Sequence, residues 1–239
     1  MSTLIILGLQ TGLPRTLGTP GAAEPMDREW TTGFFKEPVS GLRQVRALGI
    51  DGDGQADLVN HGGPDKAINA YPSEHYAAWG EELGLKLQAG AFGENFTTAG
   101  MTEQEVCVGD VFQCGVLCLQ VSQPRQPCWK LARRWRIKDL AARVERTGRT
   151  GWYFRTLNEG PVQAGMVLTL VKRPAPQWSI ATANEVMHHR GEDKEAALAL
   201  AGCPGLSASW QQSLGRLAKG EALDASPRLM GPQPPASIT

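Results

Sequence analysis

Glycine and proline interrupt the chain so often that long regular elements are excluded over residues 1–172. The 239-residue sequence contains 28 glycines and 16 prolines. Between these breaks lie short apolar stretches typical of strands, at residues 3–9, 106–112, 116–121 and 167–171. In the third stretch every second residue is apolar, which is typical of a strand with one buried face. Many short strands with few helices predict a mixed, mainly β fold, a closed or nearly closed barrel.

Helices are expected around this barrel. One begins near Ser73 and carries an apolar stripe of Tyr76, Trp79 and Leu83. Two more are predicted near residues 129–135 and 138–146. All three are expected to be peripheral to the barrel.

The sequence KRPAPQ at residues 172–177 can continue neither a helix nor a central strand. Beyond it the apolar residues recur with a helical period, which predicts a small three-helix subdomain. The proline-rich end of the chain is expected to be disordered and dispensable. The expected bounds are 1–172 for the barrel domain, 177–220 for the subdomain, with helices at 182–189, 193–201 and 207–219, and 225–239 for the tail.

Charge and cysteine content argue against several classes of protein. The 24 basic and 24 acidic residues cancel, which argues against a globally basic nucleic-acid binder. Residues 177–239 carry five basic and six acidic residues, so the three helices are expected to pack or dimerise rather than bind DNA. No stretch has the pattern of a signal peptide or the ~20 apolar residues of a membrane span. Five cysteines without paired spacing indicate free thiols and a cytoplasmic protein.

Cys128 lies in the stretch SQPRQPCWK, residues 122–130. Pro124 and Pro127 favour an extended backbone before Cys128. The sequence WKLARRW, which directly follows Cys128, is compatible with a helix. The cysteine is therefore placed near a helix N-terminus, where free amides favour the thiolate. Residues 123–140 carry a local net charge of +5, which favours it further. This setting suits a reactive or metal-ligating cysteine; the alternative is a small buried hydrophobe.

The segment HGGPDKA, residues 61–67, offers groups that could bind an anion. The adjacent Gly62 and Gly63 allow backbone amides to approach a ligand closely. His61 can donate a proton and Lys66 can add a positive charge. The alternative is a tight turn between strands, and Asp57 could anchor such a turn.

A second glycine-rich segment, GAFGENF at residues 90–96, presents Glu94 and Asn95. These are candidates for acid/base and hydrogen-bonding roles, or they are turn residues. Other motifs fail. GDGQAD lacks the last glycine of a dinucleotide-binding loop, and it lacks the glycine and the glutamate of a calcium-binding loop. The HGG sequence resembles part of a hydrolase, but no G-x-S-x-G accompanies it. The remaining cysteines lack zinc or iron–sulfur spacing. Three histidines, His75, His188 and His189, are expected on the surface.

Taken in order, GDGQADLVNHGGPDKAINAYP, GAFGENF, VGDVF and VSQPRQPCWKL resemble the MOSC domain, which is named for the C-terminal domain of molybdenum-cofactor sulfurases. The chain is most similar to the stand-alone bacterial, YiiM-like branch, of which WTTGFFKEPV at residues 30–39 is also typical. The resemblance covers roughly residues 30–172, and the C-terminal helices resemble the three-helix domain of the same branch. It implies a β-barrel that binds the molybdenum cofactor, with Cys128 as the protein ligand to the metal.

The resemblance implies one site for the candidate residues. A thiolate suits such a metal centre, and cations suit the phosphate that the cofactor bears. The residues expected to bind the cofactor are Arg125, Lys130, Lys66, Gly62, Gly63 and Asp57, and those expected in catalysis beside Cys128 are His61, Glu94 and Asn95.

The implied activity is reduction of N-hydroxylated compounds such as 6-N-hydroxylaminopurine. An external electron-donating reductase is expected, because the sequence contains no iron–sulfur, flavin or nicotinamide motif. The alternative is a cofactor carrier or sulfur-transfer module without reductase activity. An open pocket with aromatic side chains, for which Trp30 and Trp129 are candidates, would favour the reductase. No nucleic-acid or membrane partner is expected, and a homodimer is possible.

Overall fold

A computed structural model describes residues 2–232 and shows a barrel of short strands with helices around it. The strands are β1 Thr3–Thr11, β2 Arg15–Leu17, β3 Trp30–Thr32, β4 Glu37–Pro38, β5 Arg43–Arg46, β6 Gly49–Ile50, β7 Ile68–Pro72, β8 Phe96–Ala99, β9 Val111–Cys114, β10 Leu117–Pro124, β11 Trp152–Asn158, β12 Gly160–Val162 and β13 Val167–Lys172. The helices are α1 Leu58–His61, α2 Tyr76–Leu83, α3 Lys130–Trp135, α4 Leu140–Thr147, α5 Ile180–His188, α6 Lys194–Ala201, α7 Ala208–Ala218 and α8 Ser226–Met230.

Seven strands form a closed ring in the order β13-β9-β10-β11-β7-β8-β1, and β1 completes it by pairing with β13. The pair β7–β8 is parallel and the other pairs of the ring are antiparallel. Because the ring is closed, none of its strands has an unpaired edge. Many short strands need this closure for stability. The predicted mainly β barrel with peripheral helices is confirmed.

The first strand alternates between buried and exposed side chains. Leu4 and Ile6 are fully buried, whereas Ile5 and Leu7 are exposed. The register of β1 against β8 then shifts between Ile6 and Gly8, where the strand bends. Inward side chains of the barrel thus form one continuous apolar core.

The C-terminal helices follow local sequence signals closely. Ser179, Asp193 and Ser207 cap α5, α6 and α7, each accepting a hydrogen bond from the backbone N–H three residues later. Buried side chains of α5 and α7, including Ile180 and Trp210, belong to the same core as the barrel. The helices therefore cover apolar surface of the barrel.

The structure differs from the sequence expectations in three places. Within residues 106–112 a strand begins only at Val111. His75 and His188 are not surface residues, because their side chains are 15% and 8% exposed and face carboxylates. In the expected tail, Ser226–Met230 form α8 rather than a disordered segment; residues 233–239 lie outside the described part of the chain. Within residues 2–232, no helix combines the length and hydrophobicity that crossing a membrane requires.

Candidate functional site

A cleft brings together side chains from loops that connect the barrel strands. Of the residues singled out from the sequence, six line it: Cys128, His61, Arg125, Lys130, Lys66 and Asn95. Four others lie outside the lining: Asp57, Glu94, Gly62 and Gly63. Candidates that are distant in the sequence therefore meet at one place.

Cys128 lies between the end of β10 and the start of α3 and is 6% exposed. Burial raises the pKa of its thiol, but the adjacent His61 ring, the Arg125 guanidinium and the Lys130 backbone amide favour the thiolate and together lower the pKa to about 7. Burial instead raises the pKa of Cys203 to about 11. Cys128 is thus set apart from an ordinary buried thiol.

His61 is the last residue of α1, and Asp57 fixes this short helix. The Asp57 carboxylate accepts hydrogen bonds from the backbone N–H of Asn60 at 3.0 Å and from its side-chain amide at 2.9 Å. A side chain at Gly62 would collide with the Leu58 carbonyl oxygen, at 2.7 Å from its Cβ. Asp57 and Gly62 therefore act as the turn-forming residues that place His61, the alternative considered for Asp57 from the sequence.

Three cations face the cleft without a carboxylate partner. In residues 2–232, neither Arg125, Lys130 nor Lys66 forms an ion pair with an acidic side chain. Arg125 is 4% exposed, and its buried Nη1 has no hydrogen-bond partner in that part of the chain. Lys66 donates from Nζ to the Asn60 carbonyl at 2.7 Å, and burial lowers its pKa. Buried cations without counter-ions are costly to fold, so this arrangement fits an anionic ligand.

Glu94 is fully buried beneath the cleft and its oxygens are occupied. They accept hydrogen bonds from the backbone N–H groups of Gly90 and Phe92, at 2.7 and 3.0 Å, and from the hydroxyls of Tyr76 and Thr97. Four donors hold the carboxylate in the turn, so the contacts support a turn residue rather than a proton donor in the cleft.

Asn95 lines the cleft, but its amide is also committed to the fold. Its Oδ1 accepts from the Asn69 N–H at 3.1 Å and its Nδ2 donates to Asp53 at 2.9 Å. Asp53 in turn forms an ion pair with Lys36, and these two side chains are 1% and 6% exposed. Burial lowers the pKa of Lys36, against the attraction of Asp53.

Sequence reasoning missed this buried Lys36–Asp53 pair on the cleft wall. Signals for both residues were present: Lys36 lies in WTTGFFKEPV and Asp53 in the rejected GDGQAD segment. The two segments touch because Gly33 passes the Gly54 carbonyl so closely that a Cβ would lie 2.3 Å from its oxygen. The missing information was which distant loops share this wall.

Two aromatic side chains line the cleft, Phe34 and Tyr153, and neither is one of the expected tryptophans. Trp30 and Trp129 pack against each other, with ring centroids 5.6 Å apart, and neither lines the cleft. Phe34 does line it, and the Arg125 guanidinium lies 5.9 Å from its ring centroid. An aromatic side chain therefore lies beside the unpaired cations.

Comparisons with known proteins show the family to which this chain belongs. Residues 57–169 match the MOSC domain, and residues 178–220 match the YiiM-like, 3-alpha helix domain. YflK from Bacillus subtilis is 44% identical over 208 residues, 87% of this chain and 91% of YflK. The crystal structure of YiiM from Geobacillus stearothermophilus has a TM-score of 0.75 and 38% identity, and the similarity covers 90% of this chain and 99% of that one. The chain therefore belongs to the MOSC-domain family, with the three-helix domain of its YiiM-like branch.

A fungal relative has a name that indicates chemistry. A Gibberella moniliformis protein named "Reductase" is 36% identical over 166 residues, which are 68% of this chain but 29% of the fungal protein. MOSC domains are associated with the molybdenum cofactor in general. The reductase name belongs to the fungal relative, and the association with the cofactor belongs to the family.

Proposed function

We propose that the chain binds the molybdenum cofactor in this cleft, with Cys128 as the protein ligand to the metal, and reduces N-hydroxylated compounds. One observation carries the proposal: the buried Cys128 thiol, whose pKa is lowered to about 7, lies among three cations that form no ion pair with a carboxylate of residues 2–232. A thiolate can bind a metal, and the cations can bind a phosphate. The family membership and the fungal relative's name support reductive chemistry.

The donor set of the cleft fits a metal that arrives with its own ligands. Among residues 2–232, no group of three or more His, Cys, Asp or Glu side chains is arranged to hold a metal ion. A bare ion needs about four protein ligands, whereas a cofactor that supplies most of them needs a single thiolate. The unpartnered Nη1 of Arg125 fits the phosphate of such a cofactor, with Lys130 and Lys66 beside it.

When bound, the cofactor would supply a metal centre that exchanges two electrons. Reduction of a hydroxylamine, R–NHOH, consumes two electrons and two protons and yields R–NH₂ and water. The chain's part is to orient the substrate and deliver protons: His61 can donate from its ring nitrogen beside Cys128, and Phe34 can stack on a flat base. The electrons come from a separate reductase in this proposal, because the sequence has no motif for a second redox group.

The test begins with protein purified from a host that makes the cofactor. Wild-type protein should contain molybdenum and, with a chemical reductant, convert 6-N-hydroxylaminopurine to the amine. Cys128→Ser should contain none, while Cys203→Ser should match the wild type, because Cys203 is also a buried thiol but does not line the cleft. Circular dichroism would show whether both variants fold.

Two outcomes contradict different parts of the proposal. Normal molybdenum content in Cys128→Ser would refute the assignment of the ligand. A fully loaded, reduced protein that leaves 6-N-hydroxylaminopurine and simple hydroxylamines unchanged would refute the reductase activity and favour a cofactor carrier.

A further inference from the structure

We propose that Arg228 is a positioning residue that fixes Cys128 through both of its peptide groups. The Arg228 carbonyl oxygen accepts the Trp129 N–H at 2.8 Å, and Nη1 of its guanidinium donates to the Pro127 carbonyl at 2.6 Å. These two groups belong to the peptide bonds immediately before and after Cys128. One residue of α8 thus holds the backbone on either side of the thiol; the functional meaning of that contact rests on the proposed role of Cys128.

The loop that carries Cys128 has little other backbone support. Within the described chain, the Arg125 N–H donates to the Gly151 carbonyl at 3.1 Å. In the first turn of α3, the Cys128 carbonyl accepts from the Leu131 N–H at 3.0 Å and the Trp129 carbonyl from the Arg133 N–H at 3.1 Å. Pro127 has no N–H, so its carbonyl is its one backbone group able to hydrogen-bond. The two bonds to Arg228 therefore account for much of what fixes the loop.

Arg228 is itself anchored to the rest of the protein. Its Nη2 forms an ion pair with Glu145 on α4, and the same carboxylate oxygen lies 3.3 Å from Nδ1 of His188 on α5. The three side chains are 23%, 15% and 8% exposed, so this contact is partly shielded from solvent. Glu145 thus fixes the direction in which the guanidinium reaches Pro127.

The chain beyond α8 also lies against the cysteine loop. Gly231 has φ 78°, in the left-handed region that favours glycine, and a Cβ at this position would lie 2.8 Å from the Trp129 ring. The segment from Arg228 to Gly231 therefore contacts both the backbone and the side chain of the residue after Cys128.

A polar cavity of about 300 Å³ lies on the far side of this loop. Gln126 lines both this cavity and the cleft, and Glu145 and Arg228 line the cavity as well. The loop thus has space to shift away from the cleft, and the Arg228 bonds oppose that shift. The C-terminal segment, expected from the sequence to be dispensable, instead controls where the metal-binding thiol sits.

The experiment uses the full chain, a chain ending at Asp224, and the variants Arg228→Ala and Arg228→Lys. Arg216→Ala is the matched control, because Arg216 lines the same cavity but pairs with the exposed Glu221 and does not contact the loop. Two quantities are measured: amide hydrogen exchange at Trp129 in metal-free protein, and the rate at which loaded protein loses molybdenum.

Truncation removes the acceptor of the Trp129 N–H, so its exchange should accelerate about 10-fold or more. Molybdenum loss should be about 10-fold to 100-fold faster in Arg228→Ala than in wild type, as expected for a lost charge-assisted bond. Arg228→Lys should be intermediate, because one ammonium can reach Pro127 or Glu145 but lacks the fork that bonds both. Arg216→Ala should match the wild type in both measurements, and the global unfolding midpoint should change little in every variant.

Wild-type exchange at Trp129 in the truncated chain, or unchanged molybdenum loss in Arg228→Ala, would overturn the positioning role. If the protein takes up no molybdenum at all, the proposed function fails, yet the exchange measurement on metal-free protein still decides whether Arg228 holds the Cys128 loop. A global loss of stability in Arg228→Ala without rescue by lysine would show a merely structural role and also overturn the proposal.

Discussion

The Cys128 thiol of the metal-free protein should titrate near neutral pH. Its pKa is lowered from the ordinary value of 9.0 to about 7, since the effects of His61, Arg125 and the Lys130 amide outweigh burial. A shift of about two units corresponds to about 2.7 kcal/mol in favour of the thiolate. At pH 7 roughly half of the protein should carry the thiolate, compared with about 1% for an ordinary thiol.

The ultraviolet absorbance of the thiolate, recorded from pH 5 to pH 8 as wild type minus Cys128→Ser, measures this ionisation. The other thiols do not interfere: burial raises the pKa of Cys107, Cys114 and Cys118, and that of Cys203 to about 11. His61→Gln should raise the midpoint of the Cys128 titration, because it removes one cause of the lowered pKa. A difference absorbance that does not rise between pH 5 and pH 8 would refute the electrostatic account of the site.

Stability should follow the same ionisation with a definite sign. The folded-state pKa of Cys128 lies below its unfolded value, so the thiolate contribution is complete above about pH 9 and is lost as the pH falls through about 7. Linkage gives about 1.4 kcal/mol at pH 8 and nearly zero at pH 6. The difference in free energy of unfolding between wild type and Cys128→Ser should therefore widen by about 1.3 kcal/mol between pH 6 and pH 8. A constant difference would contradict the reasoning.

Three other perturbations have expected outcomes. Arg125→Ala should weaken cofactor binding by about 10-fold to 100-fold, whereas Arg136→Ala should not, because Arg136 is an exposed arginine of the same segment. Titration of metal-free protein with cofactor measures both affinities, and equal losses would indicate diffuse electrostatics only. His61→Ala should slow turnover about 10²-fold to 10⁴-fold at equal molybdenum content, and wild-type turnover would exclude it as the proton donor. Asp53→Asn should lower the free energy of unfolding by roughly 3 to 5 kcal/mol, because it leaves Lys36 buried without its partner. Asp51→Asn, which breaks an exposed ion pair, should lower it by under about 1 kcal/mol. Denaturant unfolding measures both, and similar losses would show that burial of the pair does not matter.

Elements with local signals were predictable from the sequence. The helices α5 to α7 begin within about two residues of their predicted starts, because each is capped by its own neighbouring Ser or Asp. The strand expected from residue 106 begins only at Val111, because distant partners take its backbone groups. The Val108 N–H donates to the Trp178 carbonyl and the Gly109 N–H to that of Val121. Such tertiary bonds leave no periodic pattern in the sequence.

The same distinction separates the predictable and unpredictable parts of the site. Cys128 could be recognised because its prolines and cations are its neighbours in sequence. Lys36 and Asp53 could not be paired from the sequence, because their contact depends on the approach of two loops. Glu94 has the residue type of a catalytic acid, and only its four donors favour a structural role. Residue type alone does not distinguish these cases.

Arg125 is the residue of the cleft that folding alone explains least. A buried guanidinium without a counter-ion costs several kcal/mol, and its Nη1 lacks even a neutral acceptor in the described chain. Asp53, whose carboxylate lines the same cleft, is already occupied by Lys36, Asn95 and the Gly12 N–H. The barrel core must offset this cost while the cleft holds no anion. A bound phosphate would supply the missing partner, so the binding of an anionic cofactor and the stability of this region should be coupled.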